Sequence, residues 1–234
     1  MSKKPFKGKK LILLDMLFYA GLPYLLWKFG REPFGDYAAM LITTIPGFIY
    51  TIYRYIKEKQ FNIAGIFIIG SLALGTTVNL LSGSASQMLW NGVYLGLFYV
   101  LIHFIAFLVK RPLALYFAVD FVYLQGFPRK ESTHLFYQPG IFRWFQFIQV
   151  LFVVRGLFNA GLKVFLIQKF GVDGYDQMII YRQIANWAFG ILITGLFFYT
   201  NVPIKKYYER QNDKLQEEGN LASYSVRRDL QNDG

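Results

Sequence analysis

Cysteine is absent from this chain of 234 residues. That absence excludes disulfides, thiolate nucleophiles and cysteine-based metal sites. Histidine is nearly as scarce, with His103 and His134 alone, and no His/Glu cluster has metal-ligand spacing. Acids are few, 14 against 25 lysines and arginines, and no two carboxylates share a hydrophobic segment. "GSAS" at 83–86 lacks a neighbouring base or acid and reads as a turn. These gaps predict a protein that is not an enzyme and uses no cofactor and no metal.

What the chain has is apolar surface: 54% of its residues are hydrophobic and 19% aromatic, and only 17% are charged. The apolar residues fall in blocks of about 20, the length a helix needs to cross a hydrocarbon core. The pattern predicts an all-α fold, a polytopic transmembrane bundle of about six spans at 11–29, 36–56, 61–81, 88–109, 144–167 and 178–200. Short turns such as "GREPFG" and "SGSASQ" make the first four spans close antiparallel neighbours. Residues 1–204 form the transmembrane domain in this reading, and 205–234 a polar cytoplasmic tail whose start continues the last helix. Within 110–143, "KRPLALYFAVDFVYL" has an apolar run too short to cross. It is expected to lie as an amphipathic helix along the cytoplasmic interface, or to dip in and return.

The net charge of +11 would raise nucleic-acid binding in a soluble protein. Here the cations flank hydrophobic segments and do not share one domain face, so the expected partners are the bilayer and its anionic lipids, not nucleic acid. With the N-terminus in the cytoplasm, the N-terminal segment, the 54–60 loop, the 110–143 segment and the tail hold 19 of the 25 cations on that side. This asymmetry predicts both termini inside. Trp27, Trp90 and Trp144 fall near span ends as interfacial anchors do, whereas Trp187 is nearer mid-span. The first apolar run contains Asp15 and ends without a small-x-small site, so an uncleaved span is expected there.

Three stretches, "LDMLFYAGLPYLLWK", "GDYAAMLITTIPGFIYTIYRYI" and "KRPLALYFAVDF", together with a glycine-rich polar fifth span, resemble a family of bacterial inner-membrane proteins similar to intracellular septation protein A. The resemblance covers roughly residues 10 to 205. It implies a six-helix bundle in the bacterial cytoplasmic membrane and a link to the cell envelope or division through membrane-protein partners or lipids. It implies no catalytic residues. Relatives tend to carry an acid in the fifth span where this chain has Asn159, which argues against a proton relay there.

The fifth span, "LFVVRGLFNAGLKVFL", holds Arg155, Asn159 and Lys163 on one helix face at steps of four. In the sixth, Arg182, Asn186 and Gly190 repeat that spacing. The two spans are expected to be antiparallel neighbours, with Lys163 and Arg182 at one level and the two asparagines nearer the midplane. A cation near mid-span costs about 2.5–3.5 kcal/mol on insertion scales and needs a partner, a water-filled cavity or a snorkelling route. Lys163 is close enough to the outer surface to snorkel. For Arg155 the expected partner is Asp15, with Asp120 as the other internal candidate. The alternative is an anion-binding cluster of Arg155, Asn159, Lys163, Arg182 and Asn186, which would make the protein a small transporter or lipid-handling protein. A proton path or a gate is the third possibility. His103 is expected to be a packing residue hydrogen-bonded across the bundle.

Overall fold

The computed structural model describes residues 13–57 and 62–210, together with Asp213 and Gln216. The basic N-terminal segment and most of the polar tail lie outside the described residues. Among those described, all regular structure is helical.

The first helical stretch bends at Gly35, whose φ of 75° and ψ of 165° interrupt the interval Leu22–Lys57. Only glycine adopts that backbone readily. We name the arm before it α1 (13–34) and the arm after it α2 (36–57). A single π-helical turn at Leu17–Gly21 lies in α1. The arms fold back on each other: Phe18 stacks on Tyr50 with ring centroids 4.7 Å apart. Gly47 lets the Tyr19 ring sit close, since an added Cβ would lie 3.2 Å from its Cδ1.

Four further long helices follow: α3 (Ile63–Leu80), α4 (Ala85–Leu108), α7 (Pro139–Phe170) and α8 (Tyr175–Tyr199). Each is long and apolar enough to cross a membrane, and helix continues beyond Thr200 to Arg210. Their outward faces expose large apolar side chains such as Ile66, Leu101, Ile191 and Phe198, a surface suited to lipid and not to water. The chain is a helical membrane protein. Prolines, threonines and tyrosines dilute the apolar character of α1 and α2, which do not join these four by length and composition.

Between α4 and α7 lie two short helices, α5 (Leu113–Tyr123) and α6 (Arg129–Phe136). At 11 residues α5 is too short to cross, as expected. It packs one face into the bundle, with Ala114 and Leu115 fully buried, and leaves Phe121 and Tyr123 exposed. It packs in a core with Phe136, Phe145 and Ile148. Asp120, 2% exposed, accepts a hydrogen bond from the Ala64 backbone N–H at 2.9 Å and faces Arg129 at 3.3 Å. A carboxylate there satisfies an otherwise orphan donor at the start of α3 and complements its helix dipole.

At the opposite end of the bundle, Arg31 bonds Asp36 at 2.6 Å and also Asp173, tying the Gly35 bend to the turn between α7 and α8. Hydrogen bonds to Asp36, then to Asp173, hold the Arg31 guanidinium above its usual range. Trp27 is 3% exposed, packs edge-on against Tyr175 and lies beneath the Arg31 guanidinium at this end of the bundle.

Candidate functional site

The most intimate helix pair is α4 with α7, and small residues explain why. Gly156 on α7 faces Val100 on α4 so tightly that an added Cβ would collide with the valine Cγ2. Gly92 on α4 leaves room for the Lys163 ammonium, which an added Cβ would strike.

A partly open cavity of about 350 Å³ lies between α4, α7 and α8. Arg155, Asn159, Lys163, Arg182 and Asn186 all line it, so the five residues of the proposed cluster meet in one place. A second cavity, of about 450 Å³, lies on the other side of α8, toward α1 and α2. Arg155, Arg182 and Asn186 form the wall common to both. No carboxylate lines either cavity among the described residues.

The polar contacts are as follows. Arg155 Nη2 donates to Asn186 Oδ1 at 3.1 Å. Asn159 Nδ2 donates to the Arg155 carbonyl at 2.9 Å, and its Oδ1 is buried without a partner. Arg182 Nε is likewise buried and unpaired. No salt bridge engages Arg155, Lys163 or Arg182 among the described residues.

Two expectations are corrected here. Arg155 does not pair with Asp15. The acid is already engaged: Tyr50 donates to its Oδ1 at 2.8 Å and Arg54 approaches the same oxygen at 3.3 Å. Both partners come from α2, the antiparallel neighbour, so the α1–α2 fold-back satisfies Asp15 locally. Asp120 is taken as well, by Ala64 and Arg129. Nor does Lys163 snorkel, because it is 8% exposed and its ammonium turns inward against Gly92.

His103 is the packing residue expected. Its ring stacks on Phe152 of α7 at 5.0 Å. Gln149 Nε2 lies 3.0 Å from its Nδ1 and donates to its carbonyl at 2.7 Å. Gln149, fully buried, also accepts from the Ala114 N–H at 3.2 Å. One amide therefore joins α4, α5 and α7. No sequence signal marked Gln149 beyond a polar residue within an apolar helix.

Among the described residues, no group of histidines and carboxylates could hold a metal ion. No protein family, curated protein or solved structure matches the chain.

Proposed function

We propose that this protein binds an anionic group, a phosphate or a carboxylate, within the membrane at the cluster of Arg155, Lys163 and Arg182. The observation that carries the reading is a cavity lined by three cations and two amides, with no carboxylate to neutralise them. Buried charges are costly unless paired, and an uncompensated cluster of one sign attracts the missing counter-charge. Arginine forks and amide donors suit the oxygens of phosphate or carboxylate.

The protein is non-enzymatic in this reading and handles a lipid or a small anionic solute. Its α1 and α2 arms add two spans to the four strongly apolar ones, giving six, with both termini in the cytoplasm of a bacterial cell. The positive-inside distribution supports that orientation. A role in envelope maintenance or division through membrane partners is carried by the sequence resemblance alone.

The test is thermal unfolding in phosphatidylcholine nanodiscs with added inorganic phosphate. A ligand at a hundredfold its Kd stabilises by about 2.7 kcal/mol, enough to read as a shift in Tm. Wild type should shift with phosphate, and Arg155→Gln should shift much less. A wild-type Tm that ignores phosphate, sulfate and carboxylates alike would remove the anion reading.

A further inference from the structure

We infer that the anion is the phosphate of a polyol phosphate ester that meets Arg155 and Arg182 from the side of α1 and α2, with its hydroxyl groups toward those helices; this rests on the anion site proposed above. The evidence is the second cavity, beyond the wall of Arg155, Arg182 and Asn186. It is lined by hydroxyl groups, those of Tyr19, Thr43, Thr44 and Thr51 on α1 and α2 and that of Tyr175 on α8, the helix that carries Arg182.

The direction of their hydrogen bonds fixes what they can recognise. Thr43 donates to the Met40 carbonyl at 2.6 Å, Thr44 to the Leu41 carbonyl at 2.7 Å, and Thr51 to the Gly47 carbonyl at 2.6 Å. A carbonyl only accepts, so each threonine proton is committed to its own helix. Tyr175, 3.1 Å from Thr43, must then donate to the Thr43 oxygen, and Tyr19 must donate to Thr51 at 2.9 Å. Both tyrosine protons are committed as well. What this side of the cavity still offers is oxygen lone pairs, so its complement is a group rich in donors.

The donor has to be neutral. An ammonium would satisfy the same oxygens, but it would share a cavity with two arginines and no carboxylate, where like charges repel. Hydroxyl groups donate without that penalty. Phe18, Phe48, Leu72 and Ile179 give a carbon skeleton an apolar surface, and Gln183 adds an amide on the α8 side. An oxyanion against the arginine wall with hydroxyls against the Thr–Tyr side is the chemistry of a phosphorylated polyol. It occurs both as the headgroup of an acidic lipid and as a soluble ester.

The experiment uses the full chain in phosphatidylcholine nanodiscs and calorimetric titration with inorganic phosphate, glycerol 3-phosphate and 2-aminoethyl phosphate. A parallel arm mixes phosphatidylglycerol or phosphatidic acid into the discs and reads retained lipid by native mass spectrometry. The expected result is about tenfold tighter binding of glycerol phosphate than of the other two soluble probes. Thr43→Val with Thr51→Val should erase that preference and leave phosphate binding intact. Tyr175→Phe should do so in part, and gives a second variant if the double change lowers the folded yield. Preference for phosphatidylglycerol over phosphatidic acid, with no soluble ester bound, supports the inference and makes a lipid the source. Equal binding of all three soluble probes overturns the polyol while the anion site stands. If neither soluble nor lipid phosphate binds, both readings fall together.

Discussion

Arg155 meets Asn186 at 3.1 Å, and the oxygen it finds there belongs to an amide and not to a carboxylate. The guanidinium is oriented by that bond without being neutralised. Supplying the charge should therefore close the site. Asn186→Asp is expected to raise stability by about 1–3 kcal/mol through a charge-assisted bond. The same change should weaken phosphate binding at least tenfold, since the introduced acid occupies the guanidinium and repels the ligand. Paired melting and titration curves check both signs at once.

Lys163 provides a complementary test. Its ammonium is buried beside Gly92 and Arg182 lines the same cavity, so it is held there against its own hydration. Lys163→Met keeps the length and removes the charge. The expected outcome is a higher Tm in ligand-free discs together with a smaller shift on adding phosphate. A structural lysine would show the opposite first sign, because its loss would open a void or break a pair.

Asp15 stands outside this cluster. Asp15→Asn should cost about 1–2 kcal/mol, from the weakened contacts to Tyr50 and Arg54. It should leave the phosphate response unchanged. Exchanging the charges of Asp15 and Arg155 should give no rescue over the single variants, whereas exchanging Asp15 and Arg54 should recover part of the loss. Folded yield from membranes and Tm are the readouts.

The spans at α3, α4, α7 and α8 could be read from hydropathy because each is a continuous apolar run of membrane length. The two faces at steps of four also translated into structure: Arg155, Asn159 and Lys163 do face Arg182 and Asn186 across one cavity. What periodicity could not supply was the identity of third elements. Asp15 was free to be assigned to Arg155 until the fold-back at Gly35 put Tyr50 and Arg54 beside it. Lys163 looked able to snorkel because rise per residue gives depth, not direction; the missing side chain at Gly92 turns it inward. Likewise the apolar run of α5 fits either an interfacial or a re-entrant helix, and the Asp120 contact to the start of α3 and the packing of Leu115 tie it to the body. In each case a contact between segments distant in sequence overrode a local pattern.

The close approach of α4 and α7 depends on Gly156. Adding a methyl there drives it into Val100, and the helices must part or the valine must leave its rotamer. Gly156→Ala should destabilise by about 1–3 kcal/mol. Val100→Ala alone should cost less, and the double variant should recover most of the Gly156→Ala loss. Non-additivity in that cycle identifies the contact. Equal costs that simply add would place the glycine's importance elsewhere.

Gln149 joins three helices through one amide, and its replacement separates packing from hydrogen bonding. Its Nε2 has two protons, directed at His103 Nδ1 and at the His103 carbonyl; both are acceptors, so the ring proton of His103 resides on Nε2. Its Oε1 accepts from Ala114 N–H, one of the first donors of α5, which has no intrahelical partner. Gln149→Leu fills a similar volume yet leaves that N–H and the His103 nitrogen buried and unpaired. The expected cost is about 2–4 kcal/mol, larger than a volume-conserving apolar exchange would give. Gln149→Glu retains the acceptor for Ala114 but sets a carboxylate against His103. It should cost stability as well, since both hydrogen bonds that the Nε2 protons make to His103 are lost. Loss of stability in Gln149→Leu no greater than that of Ile148→Leu would show that the amide fills space and does not connect the helices.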